Sequence, residues 1–279
     1  PDMSLISIVV GDPLQIEPVF TVPSKLIKDI SGLSPHTSDN LFSPDSVSVQ
    51  NLADAANKFG TYIQTADDNK AWIGSPLRVH RRCLDPMFSL SNTIAYSNKM
   101  IFGLNCAESP HNGLLPFGSS WIDIGGAAVS EQSVPAQCNF MIQLIHKYYK
   151  QEKELPSIYI ISPFKAVKKD LTERLKEHFK PMHDSPPGLT KWASERIGTV
   201  HTFQGKEEGT VFMILGADKT REGAISWASS KPNLLNVATT RAKRHFFLIG
   251  DKSIWGGKRY FTTANQMLPT KDITDALTP

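Results

Sequence analysis

The sequence predicts an α/β fold in which helices cover both faces of a parallel sheet. From residue 77 onwards, short apolar runs typical of strands alternate with longer stretches that carry apolar residues at helical spacing. Several of the short runs are nearly continuous in apolar residues, as expected of strands that are buried on both faces. Strands and helices that alternate along a chain form crossover units, and these units join parallel strands.

The individual elements follow from local patterns. Strands are predicted where β-branched and aromatic residues cluster, at 121–124, 157–161, 197–200, 211–215 and 245–249. Helices are predicted where apolar residues form a stripe, at 87–94, 136–150, 163–175 and 232–243. Ser162 is expected to cap the third of these helices, with Pro163 in its first position.

The first 76 residues have a different pattern. An apolar run at 5–10 ends at Gly11 and predicts another strand that is buried on both faces. Residues 21–76 are rich in Ser, Pro, Asn and Asp and contain one short helical patch, at 52–59, which favours a loop-rich connection or insertion. The chain is therefore expected to divide into residues 1–76 and 77–279.

The composition of the 279-residue chain excludes two broad classes of protein. Hydrophobic residues make up 40% of the chain, which is too many for a disordered protein. No apolar run reaches the roughly 18 residues that a membrane span needs, so no contact with a membrane is expected. The net charge of +3 is compatible with nucleic-acid binding but is no evidence for it.

Cysteine usage indicates a reducing compartment. Cys83, Cys106 and Cys138 are far apart, and no cluster of Cys and His has zinc spacing, so no metal site is predicted. No signal peptide is visible, and a cytoplasmic, nucleoid or nuclear location is expected. The chain starts with Pro1 rather than Met, which favours a piece of a longer protein.

Two early segments carry side chains suited to phosphate. Residues 11–15 (GDPLQ) follow the first predicted strand, and Asp12 and Gln15 there can orient a water or a phosphate. The alternative is a plain turn, because Gly-Asp-Pro is good turn chemistry. Residues 77–82 (LRVHRR) hold three arginines, and guanidinium pairs with phosphate in bidentate fashion. The alternative there is a solvated basic turn.

Two later segments are similarly polar. Residues 199–207 (TVHTFQGKE) hold hydroxyls, an amide and charges, and Gly205 would let a ligand approach the backbone closely. A polar hairpin or crossover loop is the alternative. Residues 236–244 (NVATTRAKR) place Arg241 near the end of a helix, where it can project into a phosphate site. A favourable cation at a helix C-terminus is the alternative.

In this order the segments resemble motifs III to VI of superfamily 1 helicases, in particular the Upf1-like branch. The matching segments, with the family's motif in parentheses, are 11–15 (GDxxQ), 78–96 (QYRMHP…FY), 161–165 (ITPYKAQ), 199–207 (TVDSFQGRE) and 235–243 (LNVALTRAK). The resemblance implies two RecA-like domains of the P-loop NTPase type, with ATP and Mg²⁺ between them. Residues 1–76 would be the C-terminal remnant of the first RecA-like domain plus a loop-rich connection, and 77–279 the second.

The resemblance also implies roles for single residues. Gln15 would sense the γ-phosphate, and Arg82 and Arg241 would be arginine fingers. The other residues implied to bind nucleotide are Asp12, Arg81, Gly205 and Glu207. Those implied to lie along a track for single-stranded DNA or RNA are Ser162, Pro163, Thr199 and Thr202. The chain departs from the family at Arg81, where the family has an aromatic residue that stacks on adenine, and at His201, where it has an aspartate.

Two motifs that an ATP-driven motor needs are absent from the sequence. A P-loop ends in Gly-Lys followed by Ser or Thr, and neither Gly205-Lys206 nor Gly257-Lys258 continues in that way. No Asp-Glu pair follows an apolar run to hold Mg²⁺. In the family both motifs precede GDxxQ, so the sequence predicts the C-terminal half of an ATP-dependent helicase, inactive alone, whose partner is the missing N-terminal RecA-like domain. The alternative is a non-catalytic module that binds nucleic acid or protein.

Overall fold

The computed structural model describes residues 8–12, 15, 22–32, 47–64, 70–105, 113–181 and 185–277. The chain divides into two compact units, Pro1–Arg78 and Val79–Pro279. Within the described ranges, no helix has the length and apolar character needed to cross a membrane.

The described part of the first unit contains two helices and a β-hairpin. The helices are α1 (Ser24–Ser31) and α2 (Val49–Ala56), and antiparallel pairing joins β1 (Gly60–Gln64) to β2 (Lys70–Gly74). Helix α2 confirms the helical patch predicted at 52–59, although it starts earlier. Helix α2 starts at Val49 because Ser48 caps it: the Ser48 hydroxyl accepts the N–H of Asn51, and the Asn51 side chain accepts the N–H of Ser48.

The strand predicted at 5–10 is wrong where the structure describes it. Residues 8–10 are not in a strand, and Ile8 and Val10 are 85% and 81% exposed. A strand is buried only where neighbouring strands and a covering layer meet it, and the described sheet of this unit pairs β1 with β2 alone. Residues 5–7 of the predicted strand lie outside the described ranges.

The second unit is built on a parallel sheet. Its strands are β3 (Val79–His80), β4 (Ile101–Phe102), β5 (Ser120–Asp123), β6 (Ile158–Ser162), β7 (Ile197–Thr199), β8 (Glu208–Ile214), β9 (Ala242–Gly250) and β10 (Thr270–Lys271). Six of them form one sheet in the order β10-β5-β9-β8-β6-β7, in which every described pairing is parallel. Strands β3 and β4 form a separate parallel pair.

Helices flank this sheet. They are α3 (Met87–Ala95), α4 (Pro135–Glu152), α5 (Lys165–Phe179), α6 (Leu189–Arg196), α7 (Glu222–Ser229), α8 (Asn233–Arg241), α9 (Lys252–Trp255), α10 (Phe261–Met267) and α11 (Ile273–Leu277). Residues 210–214 of β8 are all buried. Because successive side chains of a strand point to opposite faces, both faces of the sheet are covered there. Helix α4 packs on α5, while α3 packs on α8. The predicted α/β class is confirmed.

Two element boundaries differ from the predictions at the motifs. Helix α5 begins at Lys165, because the Ser162 hydroxyl, still within β6, accepts the N–H of Phe164 at 3.2 Å and ends the strand with a turn. Ser162 is therefore not the cap of α5, and Pro163 is not its first residue. Helix α8 ends at Arg241, because Ala242 already pairs with Glu208 in the sheet.

Candidate functional site

Parallel strands give the sheet two different edges. Glu208 pairs with Ala242 where β8 and β9 begin, which marks the amino edge. Ser162 pairs with Thr199 where β6 and β7 end, which marks the carboxyl edge. The predicted site residues of this unit fall into two groups, one at each edge.

Glu207 is the centre of the group at the amino edge. Its Oε2 lies 3.1 Å from Nε of Arg82, and its Oε1 lies 2.6 Å from Nζ of Lys243. The three side chains are between 39% and 45% exposed. The hydrogen bond from Lys243 and the charges of Lys243, Arg82 and Arg241 hold the pKa of Glu207 below its usual value. We call Arg82, Glu207, Arg241 and Lys243 the cation cluster.

Arg241 is the buried member of the cation cluster. It is the last residue of α8 and is 1% exposed. Its Nη1 donates to the carbonyls of Lys206 at 3.0 Å and Phe203 at 3.4 Å, and its Nη2 donates to the hydroxyl of Thr240 at 3.3 Å. Its Nε has no hydrogen-bond partner, and no carboxylate pairs with the side chain, among the residues that the structure describes.

The charge of Arg241 is therefore poorly compensated. Burial, together with the charge of Arg82, holds the pKa of Arg241 below its usual value. Taking a cation out of water is unfavourable unless an anion or several polar groups replace the water. The guanidinium is consequently a place where a bound anion would be favoured.

Contacts with the α8–β9 junction hold the segment that carries Arg82. The N–H of Cys83 donates to Nε2 of His80 at 2.9 Å, and the N–H of Leu84 donates to the carbonyl of Lys243 at 2.9 Å. The thiol of Cys83 lies 3.6 Å from the carbonyl of Thr240. Arg82, which contacts Glu207, therefore directly precedes two residues whose backbones are held by hydrogen bonds.

Gly205 lies in the segment 199–207 that carries Glu207, and Arg81 lies in the segment 77–82 that carries Arg82. Gly205 has φ of +82°, in the left-handed region that favours glycine, and no atom lies within 4 Å of the position that a Cβ would take. The space beside its backbone is open, as a close-approaching ligand would need. Arg81 is exposed and directly precedes Arg82.

The carboxyl edge carries the four residues predicted for the single-strand track. Ser162 and Pro163 are buried, and the hydroxyl of Ser162 is used by the N–H of Phe164. Thr202 is exposed, and its hydroxyl lies 3.3 Å from the hydroxyl of Thr199. The threonines, rather than Ser162, therefore present polar atoms at this edge.

Asp12 and Gln15 belong to the first unit and contact each other. The backbone N–H of Gln15 donates to the carbonyl of Asp12 at 3.2 Å, and its side-chain amide donates to the Asp12 carboxylate at 3.3 Å. Both hydrogen bonds join residues three apart in the sequence, so the polar groups of Asp12 and Gln15 are in part used by each other.

Three residues that support the cation cluster were not singled out from the sequence. Lys243 is predicted in a helix but lies in β9, where its side chain reaches Glu207. His80 and Cys83 support Arg82 through the hydrogen bond that the backbone N–H of Cys83 donates to the imidazole of His80. The basic run at 241–244 is a sequence signal for Lys243, whereas the bond between His80 and Cys83 depends on a turn that local patterns do not reveal.

The fold and the cation cluster define a parallel α/β domain that gathers arginine and lysine side chains at the amino edge of its sheet. A family model described as "AAA domain" matches residues 61–253, more than half of the chain. The chain belongs to the AAA domain family. The matched range contains four of the five segments that resemble helicase motifs, so the helicase-type resemblance and the AAA domain occupy the same part of the chain.

Solved structures give weaker similarity. The C-terminal domain of a possible DNA helicase from Lactobacillus plantarum WCFS1 is 11% identical, with a TM-score of 0.32, over 61% of this chain and 85% of that one. The UvsW helicase from bacteriophage T4 is 15% identical, with a TM-score of 0.32, over 73% of this chain and 72% of that one. Similarity at this level carries no argument about function. No curated protein matches the chain.

Proposed function

We propose that this chain is the C-terminal half of an ATP-dependent nucleic-acid helicase or translocase of the Upf1-like branch of superfamily 1. One observation carries the proposal: segments far apart in the sequence meet in the cation cluster, where three cations surround one carboxylate. An excess of positive charge that includes two arginines suits the phosphates of a nucleotide. The family match and the motif order agree with this interpretation.

The cation cluster fits the phosphate part of ATP. Arg82 is accessible to a ligand, and Arg241 carries a charge with no carboxylate of its own among the described residues. Bound ATP with Mg²⁺ would supply the phosphoryl group that is transferred to water. Arg82 and Arg241 would hold phosphate oxygens and offset the negative charge that develops there. Gln15 and Asp12 are also proposed to act on nucleotide phosphate, and Arg81, Gly205 and Glu207 would border the nucleotide.

The ligands of Mg²⁺ belong elsewhere in this proposal. Among the described residues, no group of three His, Cys, Asp or Glu side chains could hold a metal ion. The proposal assigns the P-loop and the acidic Mg²⁺ motif to an N-terminal RecA-like domain, the partner of this chain. Without that domain the chain is expected to hydrolyse no ATP.

Arg241 is 1% exposed, so it can act on a phosphate only after its guanidinium becomes accessible. A phosphate adds its own negative charge to the hydrogen bond, which a neutral carbonyl cannot do, so a phosphate competes well for the guanidinium. Gly205 lies in the segment that carries the carbonyls of Phe203 and Lys206, and its surroundings are open. Release of Arg241 would therefore accompany a shift of that segment.

The carboxyl edge is proposed to bind single-stranded DNA or RNA. Thr199 and Thr202 would donate hydroxyl hydrogen bonds to strand phosphates, and Ser162 and Pro163 would shape the surface beneath them. Proteins of this kind hold the strand by its backbone and stack bases on aromatic or apolar surfaces.

ATP turnover of the longer protein that carries the P-loop half tests the proposal. Arg82→Ala is compared with Arg244→Ala, which removes the same charge from an exposed residue next to Lys243 on β9. Among the described residues, the ion pairs of Glu207 are with Arg82 and Lys243 and do not include Arg244, which makes Arg244 a suitable control. Loss of an arginine finger lowers turnover by about 10³–10⁵-fold, whereas Arg244→Ala should stay within a few-fold of the parent. Equal turnover of the two variants would contradict the assignment of Arg82.

The second candidate function is a non-catalytic module that binds nucleic acid or a protein partner. It is favoured by the pairing of both Arg82 and Lys243 with Glu207, which satisfies these cations without a nucleotide. The upstream sequence separates the two candidates, because a parent protein without a P-loop could not be the proposed motor.

A further inference from the structure

Trp227 differs from the other tryptophans in how the fold uses it. Of the five in the chain, four donate the indole N–H to a backbone carbonyl at 3.0 or 3.1 Å: Trp72, Trp121, Trp192 and Trp255. The indole N–H of Trp227 meets no protein acceptor in the part of the chain that the structure describes, and the side chain is 54% exposed. Tryptophan N–H groups usually find a protein partner when they are buried, whereas this indole is open to solvent and is available for another contact.

The indole of Trp227 is nevertheless held in a defined place. Its ring centroid lies 6.0 Å from that of Phe164, with the two planes at 42°. Phe164 is 6% exposed, and its N–H is fixed by the hydroxyl of Ser162. Helix α7 is anchored by Ile225 and Ala228, which are 2% and 1% exposed. The indole therefore forms an aromatic surface that packs on Phe164 and is in large part open to solvent.

This surface lies beside the carboxyl-edge residues. Phe164, its support, directly follows Ser162 and Pro163 in the turn between β6 and α5. Lys165, which is exposed, begins α5, and the amino end of a helix of 15 residues favours a negative charge. A phosphate next to the indole would thus meet positive potential.

The residues that lead into α7 carry charges of both signs, because Asp218 and Glu222 flank the two cations there. Lys219 and Arg221 are both exposed. The nearby carboxylate of Asp218 already accepts hydrogen bonds from Ala128 and Thr220. The surroundings of Trp227 therefore combine an aromatic face with cations, which is the chemistry of a single-strand site.

We propose that Trp227 is a stacking platform for a base of single-stranded nucleic acid. The inference rests on the proposed function and extends it to a residue outside every segment that resembles a helicase motif. Every base has a π-face, so the platform would be tolerant of sequence. The strand would continue from the indole towards Thr199 and Thr202 along the same edge of the sheet.

The experiment measures binding of the 279-residue chain to fluorescein-labelled oligothymidylate and oligouridylate of about 15 nucleotides, by fluorescence anisotropy over a salt series. Trp227→Ala is compared with Trp227→Tyr, which keeps an aromatic face, and with Tyr62→Ala. Tyr62 is a matched control, because it is 56% exposed and packs edge-to-face on one aromatic neighbour, Trp72, with ring centroids 5.0 Å apart. Far-ultraviolet circular dichroism checks that each variant is folded.

The platform predicts that Trp227→Ala weakens binding by roughly 5- to 100-fold, while Trp227→Tyr and Tyr62→Ala stay within about 3-fold of the parent chain. Stacking also predicts quenching of indole fluorescence on binding that Trp227→Tyr removes. Salt-dependent binding of the parent chain with unchanged affinity of Trp227→Ala would overturn the platform and leave the proposed function intact. Absence of binding by the parent chain itself would count against the single-strand track and overturn the platform with it.

Discussion

Oε2 of Glu207 lies 3.1 Å from Nε of Arg82, and this contact joins two segments that the proposal places at the nucleotide. The side chains are 42% and 39% exposed, so water screens the pair. Exposed ion pairs contribute about 0–1 kcal/mol, which is less than a charge-assisted contact with a phosphate can supply. Glu207 therefore holds Arg82 in place without preventing its transfer to a ligand.

The variant Glu207→Gln tests whether the ion pairs of Glu207 contribute little to the stability of the fold. We expect the free energy of unfolding in urea to change by less than about 1 kcal/mol, because both ion pairs of Glu207 are exposed to solvent. Glu208→Gln is the contrast, since Glu208 is only 19% exposed and its carboxylate bonds Arg196 and Ser157. That neighbouring change should lower stability by about 1–3 kcal/mol. A loss of several kcal/mol in Glu207→Gln would show that the cation cluster is structural.

Arg241→Met separates stability from function. The substitution keeps an apolar side chain of similar length but removes a buried charge, whose desolvation costs several kcal/mol. The carbonyls of Phe203 and Lys206 lose charge-assisted hydrogen bonds of about 1.5–3 kcal/mol each, and Lys206 is exposed, so water can replace one of them. Because desolvation is the larger effect, we expect the free energy of unfolding to stay equal or to rise.

The same variant should lose ATP turnover in the longer protein. Loss of an arginine finger corresponds to about 10³–10⁵-fold in rate, and methionine cannot contact phosphate. Urea unfolding and a steady-state ATPase assay measure the two effects. A strongly destabilised Arg241→Met would instead show that the guanidinium serves the fold through Phe203 and Lys206.

Much of the second unit could be predicted from sequence, because its strands are buried on both faces. Buried strands such as β6 and β8 appear as continuous apolar runs. Helices such as α4 and α5 instead carry apolar residues at helical spacing, which is easily distinguished from those runs. The cation cluster could be anticipated in part, since Arg82, Glu207 and Arg241 stand in recognisable motifs. Their meeting at the amino edge follows only from the order of the strands.

The rest depends on contacts that local patterns do not show. The hairpin of β1 and β2 is short and partly exposed, so it has no strong alternation. Strand β10 has two residues and is defined by its pairing with β5 alone. Trp227 carries no motif, and its interest arises from exposure and from its support on Phe164. Each of these features is a product of tertiary packing rather than of propensity.

His80 makes the support of Arg82 sensitive to pH. Its Nε2 accepts the N–H of Cys83, which requires that nitrogen to be unprotonated. Burial, and then the charge of Arg82, lowers the pKa of His80 below 6.5. As pH falls, His80 therefore binds a proton in the unfolded chain before it does so in the folded chain. The contribution of neutral His80 to stability is complete above about pH 6.5 and is lost as pH falls towards the lower pKa of the folded chain.

Urea unfolding at about pH 7.5 and about pH 5.5 measures this effect. The parent chain should be less stable at the lower pH, and His80→Gln, whose amide can accept a hydrogen bond but does not titrate, should lose less stability between the two. The pKa values of His146 and His178 are also lowered, chiefly by burial, so part of the fall remains in the variant. An identical fall in both proteins would exclude His80 as a contributor.

Cys83 offers a direct probe of whether the cation cluster opens. Its side chain and that of Cys138 are both 0% exposed, and burial raises the pKa of Cys83 to about 12 and that of Cys138 to about 11. The thiolate is the reactive form, so both residues should resist iodoacetamide at about pH 8 in the native chain and react in urea. Mass spectrometry of the peptides that contain each cysteine measures the modification. Cys83 donates its backbone N–H to His80, and its thiol lies against the carbonyl of Thr240. Selective labelling of Cys83 over Cys138 would therefore show that the Arg82 segment detaches from the α8–β9 junction. Equal protection of the two cysteines would show that the segment stays in place.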